Sequence, residues 1–145
     1  MKTVWVSGAS TGIGLATAKK FLNNNWKVII SSSNNEKLLL AKKQLLLKSE
    51  NKELYVFKCD ISNRNQVTET VNKITNQIGN INLAILNAAA YTPNKEQVFS
   101  IQNFEKLIDV NLKGTLFCIE SLINNMKNNQ NHIAIMASPV GYRGL

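Results

Sequence analysis

Short apolar runs with strand character alternate along the chain with longer segments whose apolar residues recur at helical spacing. That alternation is the pattern of successive βαβ units around a parallel sheet, since each strand needs a crossover helix before the next parallel one. Residues 2–7 read as a first strand. Residues 13–24 follow as a helix whose positions Ile13, Ala16, Thr17, Phe21 and Leu22 share one face, ended by Asn23-Asn24-Asn25. A second strand is expected over residues 26–31, then a helix over about 35–48 rich in leucine and lysine, both good helix formers. Residues 54–58 form a third strand, and Ser62 or Asn63 caps a helix that runs to about residue 78, before Gly79. Residues 81–86 predict a buried fourth strand, residues 98–126 a helix broken near 102–105, and residues 132–137 a fifth strand. No internal repeat beyond the alternation and no linker divides the chain, so one α/β domain over residues 1–145 is expected.

Composition narrows the class. With 44% hydrophobic and 18% charged residues, and only two prolines, the 145-residue chain has a globular balance and enough length to bury a core. Cys59 and Cys118 are too few and too far apart for a zinc site or a disulfide framework, so reduced thiols, no metal and a cytoplasmic location are expected. The apolar run after Lys2 reaches Gly8 too soon for a signal peptide, and no stretch approaches a membrane span. A net charge of +8 raises the question of a polyanion partner. Its distribution points to a solvated surface instead. Lys19-Lys20 and Lys42-Lys43 lie in helical segments alongside acids such as Glu36 and Glu50, and there is no arginine-rich or aromatic-interleaved stretch.

The segment with most chemistry is Ser7-Gly8-Ala9-Ser10-Thr11-Gly12-Ile13-Gly14, a glycine-rich turn between a predicted strand and a predicted helix. Gly8 permits a tight exit from the strand, Gly12 lets backbone approach a pyrophosphate, and Gly14 lets helix and sheet pack closely. The helix N-terminus offers free N–H groups to the anion, and Ser10 and Thr11 add hydroxyl donors.

The spacing Gly-x-x-x-Gly-x-Gly resembles the short-chain dehydrogenase/reductase family, and further matches fall in order. Cys59-Asp60-Ile61 is similar to the family's acidic motif after the third strand, which implies that Asp60 and Ile61 meet the adenine. Asn87-Ala88-Ala89 resembles the Asn-Ala-Gly after the fourth strand, with Asn87 beside the cofactor and steadying the sheet. Val110-Asn111-Leu112-Lys113-Gly114 resembles the helix motif whose asparagine holds a water in a proton relay. The residues around Ser138, from Ile135 to Gly141, resemble the fifth-strand motif whose serine hydrogen-bonds the substrate oxygen. Singly, each match has another reading: Asp60 as a turn acid, Asn87 as a strand-end cap, Asn111 as a surface helix residue, Ser138 as a turn hydroxyl. His132 has no partner motif and receives no role.

The resemblance implies a Rossmann-type doubly wound parallel sheet and an NAD(P)-dependent oxidoreductase that moves hydride between NADP or NAD and an alcohol or carbonyl substrate. It places Gly8, Ser10, Thr11, Gly12, Ile13 and Gly14 on the pyrophosphate side, Ser32 and Ser33 at the adenosine ribose, and Asn87, Ala88 and Ala89 at the other ribose. The stretch Ser31-Ser32-Ser33-Asn34 has neither the acid that would bind the ribose hydroxyls of NAD nor a base, and its hydroxyls favour NADP. Ala89 stands where the family has glycine, adding a methyl group near the cofactor.

The family also carries a tyrosine and lysine in the pattern Tyr-x-x-x-Lys beyond the serine, where the ammonium lowers the phenol pKa from about 10. Tyr91-Thr92-Pro93-Asn94-Lys95 matches as a string, but Pro93 opposes the helix that would set Tyr91 and Lys95 on one face. Tyr142 lies too close to Ser138 and no lysine follows it. The expectation is therefore an N-terminal part with five strands, the C-terminal strands and catalytic pair being absent, and Ser138 and Asn111 as the surviving catalytic-site residues. The alternative is a noncatalytic NAD(P)-binding module or an inactive remnant. Neither nucleic acid nor membrane is an expected partner. A fifth strand left as an open edge, with Ile133, Ile135 and Met136, favours self-association and marginal stability.

Overall fold

The computed structural model describes residues 1–91, 99–126 and 131–141. Among them, β1 (Thr3–Ser7), β2 (Lys27–Ser32), β3 (Leu54–Lys58), β4 (Leu83–Leu86) and β5 (His132–Ile135) form one parallel sheet in the order β3-β2-β1-β4-β5. The chain winds outward from β1 to β3, then crosses back to begin β4 on the other side of β1. That reversal leaves a crevice beyond the carboxyl ends of β1 and β4.

Both faces of the sheet are covered, which is why the strands read as unbroken apolar runs rather than alternating ones. On one face Val4, Val6, Val28 and Ile30 pack against Leu22 of α1 (Gly12–Asn23) and Leu38 and Leu45 of α2 (Asn35–Leu47). On the other, Trp5, Ile29 and Ala84 pack against Val67, Val71 and Ile74 of α3 (Arg64–Gln77) and Cys118 and Leu122 of α5 (Thr115–Asn125). Trp5 is fully buried, and its indole N–H donates to Ser31 Oγ at 3.0 Å, so the largest core side chain leaves no polar group unpaired. Across the second face, the Arg64 guanidinium forks onto the Glu120 carboxylate and ties α3 to α5.

The doubly wound α/β architecture agrees with the expectation, with differences at particular elements. The buried side of α1 is Gly14, Ala18 and Leu22, not the stripe led by Ile13, which is 66% exposed. Small residues at four-residue spacing bring this helix close to the sheet and turn its first side chains toward the crevice. The long helical stretch does not break at residues 102–105. It runs regularly through α4 (Ile101–Leu107) and widens into a π-helical segment at Ile108–Gly114 before α5. There Gly114 is buried against Ile61, and Asn111 reaches back to Ala90. Strand β4 is shorter than expected, beginning at Leu83; just before it, the Asn82 side chain accepts the Thr3 N–H at 2.9 Å while the Asn82 N–H donates to the Thr3 carbonyl at 3.0 Å. Strand β5 ends at Ile135, after which Pro139–Gly141 make a 3-10 turn.

Asn63, not Ser62, caps α3, and Asn34 and Ser100 cap α2 and α4. No described helix is long and apolar enough to cross a membrane, and no described group of three or more His, Cys, Asp or Glu residues is placed to hold a metal.

Cys59 and Cys118 are buried in the second core cluster. Burial pushes the Cys118 thiol up to about 12, with the nearby Cys59 adding to the effect, and burial also raises Cys59. Since the thiolate is the reactive form, both thiols should resist an aromatic disulfide reagent at neutral pH and react on unfolding in guanidinium. Rapid modification of the folded chain would contradict this packing.

Candidate functional site

At the crevice, β1 and β4 are joined by side chains rather than by the ladder. Ser7 Oγ accepts the N–H groups of Asn87 at 3.0 Å and Ala88 at 3.1 Å. The Asn87 side-chain amide donates to the carbonyls of Ser7 and Gly8, each at 3.1 Å. Gly8 has φ +64°, and a Cβ there would stand 2.6 Å from Ala88 Cα, so the turn closes against β4 only with glycine. The Ala9 N–H then bonds the Ser31 carbonyl at 3.1 Å, tying the loop to β2 as well.

Beyond this joint lies an open cleft of about 970 Å³. Ser10, Thr11 and Ile13 form one side, from the glycine-rich loop and the first turn of α1. The α1 N-terminus differs from those of α2, α3 and α4: Thr11 makes no side-chain cap, so its first N–H groups have no side-chain acceptor. Gly12 opens that helix at φ +58°, with no atom within 4 Å of where a Cβ would stand.

Ser32 and Ser33 form the wall at the end of β2. Ser10 Oγ and Ser32 Oγ lie 3.1 Å apart, and the Asn34 N–H donates to Ser32 Oγ at 3.3 Å. At the end of β3 come Cys59, Asp60, Ile61 and Ser62. The Asp60 carboxylate accepts the Ser62 N–H at 3.0 Å and the Ser62 hydroxyl at 2.7 Å, so Asp60 is both a turn acid and part of the cleft wall. Asn87, Ala88 and Ala89 continue the lining past β4.

Every expected cofactor-binding residue except Gly12 and Gly14 thus lines one cleft, and those two sit in the loop and first helical turn that shape it. Asn111 and Ser138 lie outside the lining. The Asn111 side chain is engaged by Ala90, accepting its N–H at 2.7 Å and donating to its carbonyl at 3.0 Å, while the Asn111 carbonyl accepts the Thr115 hydroxyl at 2.9 Å. Ser138 is exposed beyond β5, and its carbonyl accepts the Gly141 N–H at 3.1 Å.

Sequence reasoning missed Ser62, which the Asp-x-Ser spacing signals as a turn partner, and the wall made by Gln102, Glu105, Lys106 and Asp109 of the α4 region. No local pattern marks that second group, because a distant helix brings it in. On the same side, a 2.8 Å bond to Asp109 holds the exposed Lys113 ammonium above its ordinary pKa. Tyr91 lines the cleft while 81% exposed. The remainder of its Tyr-x-x-x-Lys string through Lys95, the expected helix start at Val98, and Tyr142 lie outside the described residues.

The short chain dehydrogenase family profile matches residues 2–145. An uncharacterized oxidoreductase of Staphylococcus saprophyticus is 30% identical over 144 residues, covering 97% of this chain and 60% of that protein. Actinorhodin polyketide ketoreductase, solved with NADPH, superposes with a TM-score of 0.91 at 19% identity, covering 99% of this chain and 56% of that one. An alcohol dehydrogenase from the archaeon Thermococcus sibiricus, complexed with 5-hydroxy-NADP, gives a TM-score of 0.90 at 22% identity, covering all of this chain and 61% of that one. This chain therefore spans little more than half the length of these relatives. The structural likenesses establish the fold, and the family match over nearly all of the sequence establishes descent: the chain belongs to the short-chain dehydrogenase family.

Proposed function

We propose that the cleft binds NADP or NAD, and that the chain is the cofactor-binding part of an oxidoreductase acting on an alcohol or carbonyl substrate. The observation that carries this reading is the open approach over Gly12 beside the α1 N-terminus that no side chain caps. Unpaired N–H groups and the positive end of a helix favour an anion, and a bare glycine lets a pyrophosphate come close. The cleft's size and its place at the reversal of strand order suit a dinucleotide.

In this reading the N–H groups near Gly12, Ile13 and Gly14 hold the pyrophosphate, with the Ser10 and Thr11 hydroxyls beside them. Ser32 and Ser33 hold the adenosine ribose. Asp60 and Ile61 face the adenine, and Asn87, Ala88 and Ala89 the second ribose. When bound, the nicotinamide supplies or accepts the hydride. Ser138 hydrogen-bonds the substrate oxygen, and Asn111 orders the loop at Ala90 and the adjacent proton path. The one Tyr-x-x-x-Lys string in these 145 residues, Tyr91-Thr92-Pro93-Asn94-Lys95, contains Pro93, which disfavours the helix such a pair needs, so in this reading the chain lacks the proton-transferring pair and binds cofactor without turnover. A noncatalytic binding module rests on the same cleft and predicts the same isolated behaviour.

Titration with NADP should give saturable binding, and Gly12→Val should weaken it at least about tenfold by filling the approach and straining φ, while leaving the far-ultraviolet circular dichroism unchanged. A folded sample that binds neither dinucleotide refutes the proposal. Carbonyl reduction should be absent with the 145-residue chain and gained when the C-terminal part of a full-length relative is appended. A folded extension that stays inactive toward a broad carbonyl panel, with cofactor bound, would leave the noncatalytic module. Because β5 is an edge of the sheet, with Ile135 56% and Met136 45% exposed, sedimentation should show concentration-dependent association that Ile135→Lys reduces. A monodisperse monomer with a cooperative melt would contradict an associating edge.

A further inference from the structure

The wall at the end of β2 favours NADP only through its hydroxyls and has no charge of its own to choose between NADP and NAD. Ser31, Ser32, Ser33 and Asn34 carry no charge, and Glu36 and Lys37, next along the chain, contribute opposite ones. A carboxylate at this point would accept the ribose hydroxyls of NAD, and a cation would meet the 2′-phosphate of NADP.

The sheet register brings a cation from the neighbouring strand. Ser32 on β2 is paired with Lys58 on β3, and the Cys59 N–H donates to the Ser32 carbonyl at 3.0 Å. Alternation along the two strands sets both side chains on one face. Val28, Ile30, Leu54 and Val56 belong to the α1/α2 core cluster, while Ile29, Tyr55 and Phe57 belong to the opposite one. Positions 32 and 58 continue the first series. Ser32 obeys this, since its hydroxyl meets Ser10 of the glycine-rich loop at 3.1 Å. Neighbouring strands run about 4.8 Å apart, a spacing that the four-carbon stem of a lysine spans. Lys58 is exposed, and the ion pairs among the described residues, Arg64–Glu120, Lys73–Glu69 and Lys113–Asp109, do not involve it.

We infer that Lys58 is the specificity-determining residue for NADP over NAD, its ammonium pairing with the 2′-phosphate while the Ser32 and Ser33 hydroxyls complete the phosphate's hydrogen bonds. This inference rests on the dinucleotide reading of the cleft. Selectivity then comes across the β2–β3 ladder, not from the loop that follows β2. Lys58 is not itself among the residues that line the cleft, and a lysine, being a mobile point charge on a long stem, needs no fixed geometry to reach a phosphate held at Ser32 and Ser33.

The test is equilibrium titration of the chain and of Lys58→Ala, Lys58→Gln and Lys58→Arg with NADP, NAD, adenosine 2′,5′-bisphosphate and 5′-AMP. Removing the ammonium should weaken NADP and the bisphosphate about tenfold, the lower end for a hydrogen bond to a charged group at a solvent-exposed site. NAD and 5′-AMP should bind as before, Lys58→Arg should restore most of the loss, and added salt should erase much of the difference. Melting temperatures should stay close to that of the parent chain, since the side chain is exposed. Unchanged NADP affinity, or equal losses for NADP and NAD, overturns the role of Lys58 while leaving the cofactor site intact. Failure of the parent chain to bind either dinucleotide overturns the cofactor reading, and this inference with it.

Discussion

The joint at Ser7 and Asn87 holds the sheet together at the place where its winding reverses. Once strands separate to form a crevice, their last N–H and C=O groups lose ladder partners, and a buried group left unpaired costs about 1–3 kcal/mol. Here one hydroxyl accepts two N–H groups from the β4 end, and one amide donates to two carbonyls at the β1 end. The glycine-rich loop can leave β1 steeply because this joint meets its polar needs, and the closeness of Gly8 to Ala88 is the steric face of the same constraint.

From that joint follows a division of labour among the helix ends. Asn34, Asn63 and Ser100 satisfy the starts of α2, α3 and α4 from within the chain. The start of α1 is not satisfied by a side-chain cap, and it borders the cleft. A local propensity rule would count that end as a small loss of helix stability. At the reversal point of a parallel sheet, the proposed dinucleotide site would turn that loss into stability forgone in favour of an anion. The Asp60–Ser62 turn and the Ser10–Ser32 contact then hold the cleft's polar walls in position before any ligand enters.

The opposite wall depends on a different device. The π-helical segment at Ile108–Gly114 includes Asn111, whose side chain reads the backbone of Ala90 on both its N–H and its carbonyl. Such widened turns cost regular hydrogen bonding and persist where a tertiary contact needs them. Here the contact binds the stretch after β4 to the helix whose neighbouring residues, Glu105, Lys106 and Asp109, face the cleft.

Most of the architecture was legible in the sequence because it follows from local periodicity. Apolar runs such as Val4-Trp5-Val6 and Val28-Ile29-Ile30 announce strands buried on both faces, and Gly8, Gly12 and Gly14 mark the turn between strand and helix. The order of motifs likewise pointed to the family before any fold was drawn. What the sequence could not supply was distance and facing. It placed Ile13 in a core stripe, though α1 rests on Gly14, Ala18 and Leu22. It set the helix irregularity at residues 102–105, though the bond to Ala90 draws it to Asn111. Nor could it see that Lys58 stands beside Ser32, since that neighbourhood exists only in the parallel register. Periodicity and turn chemistry act between residues a few positions apart and so are written in the chain itself, whereas the cleft is assembled from segments far apart in sequence, whose meeting only the packed sheet decides.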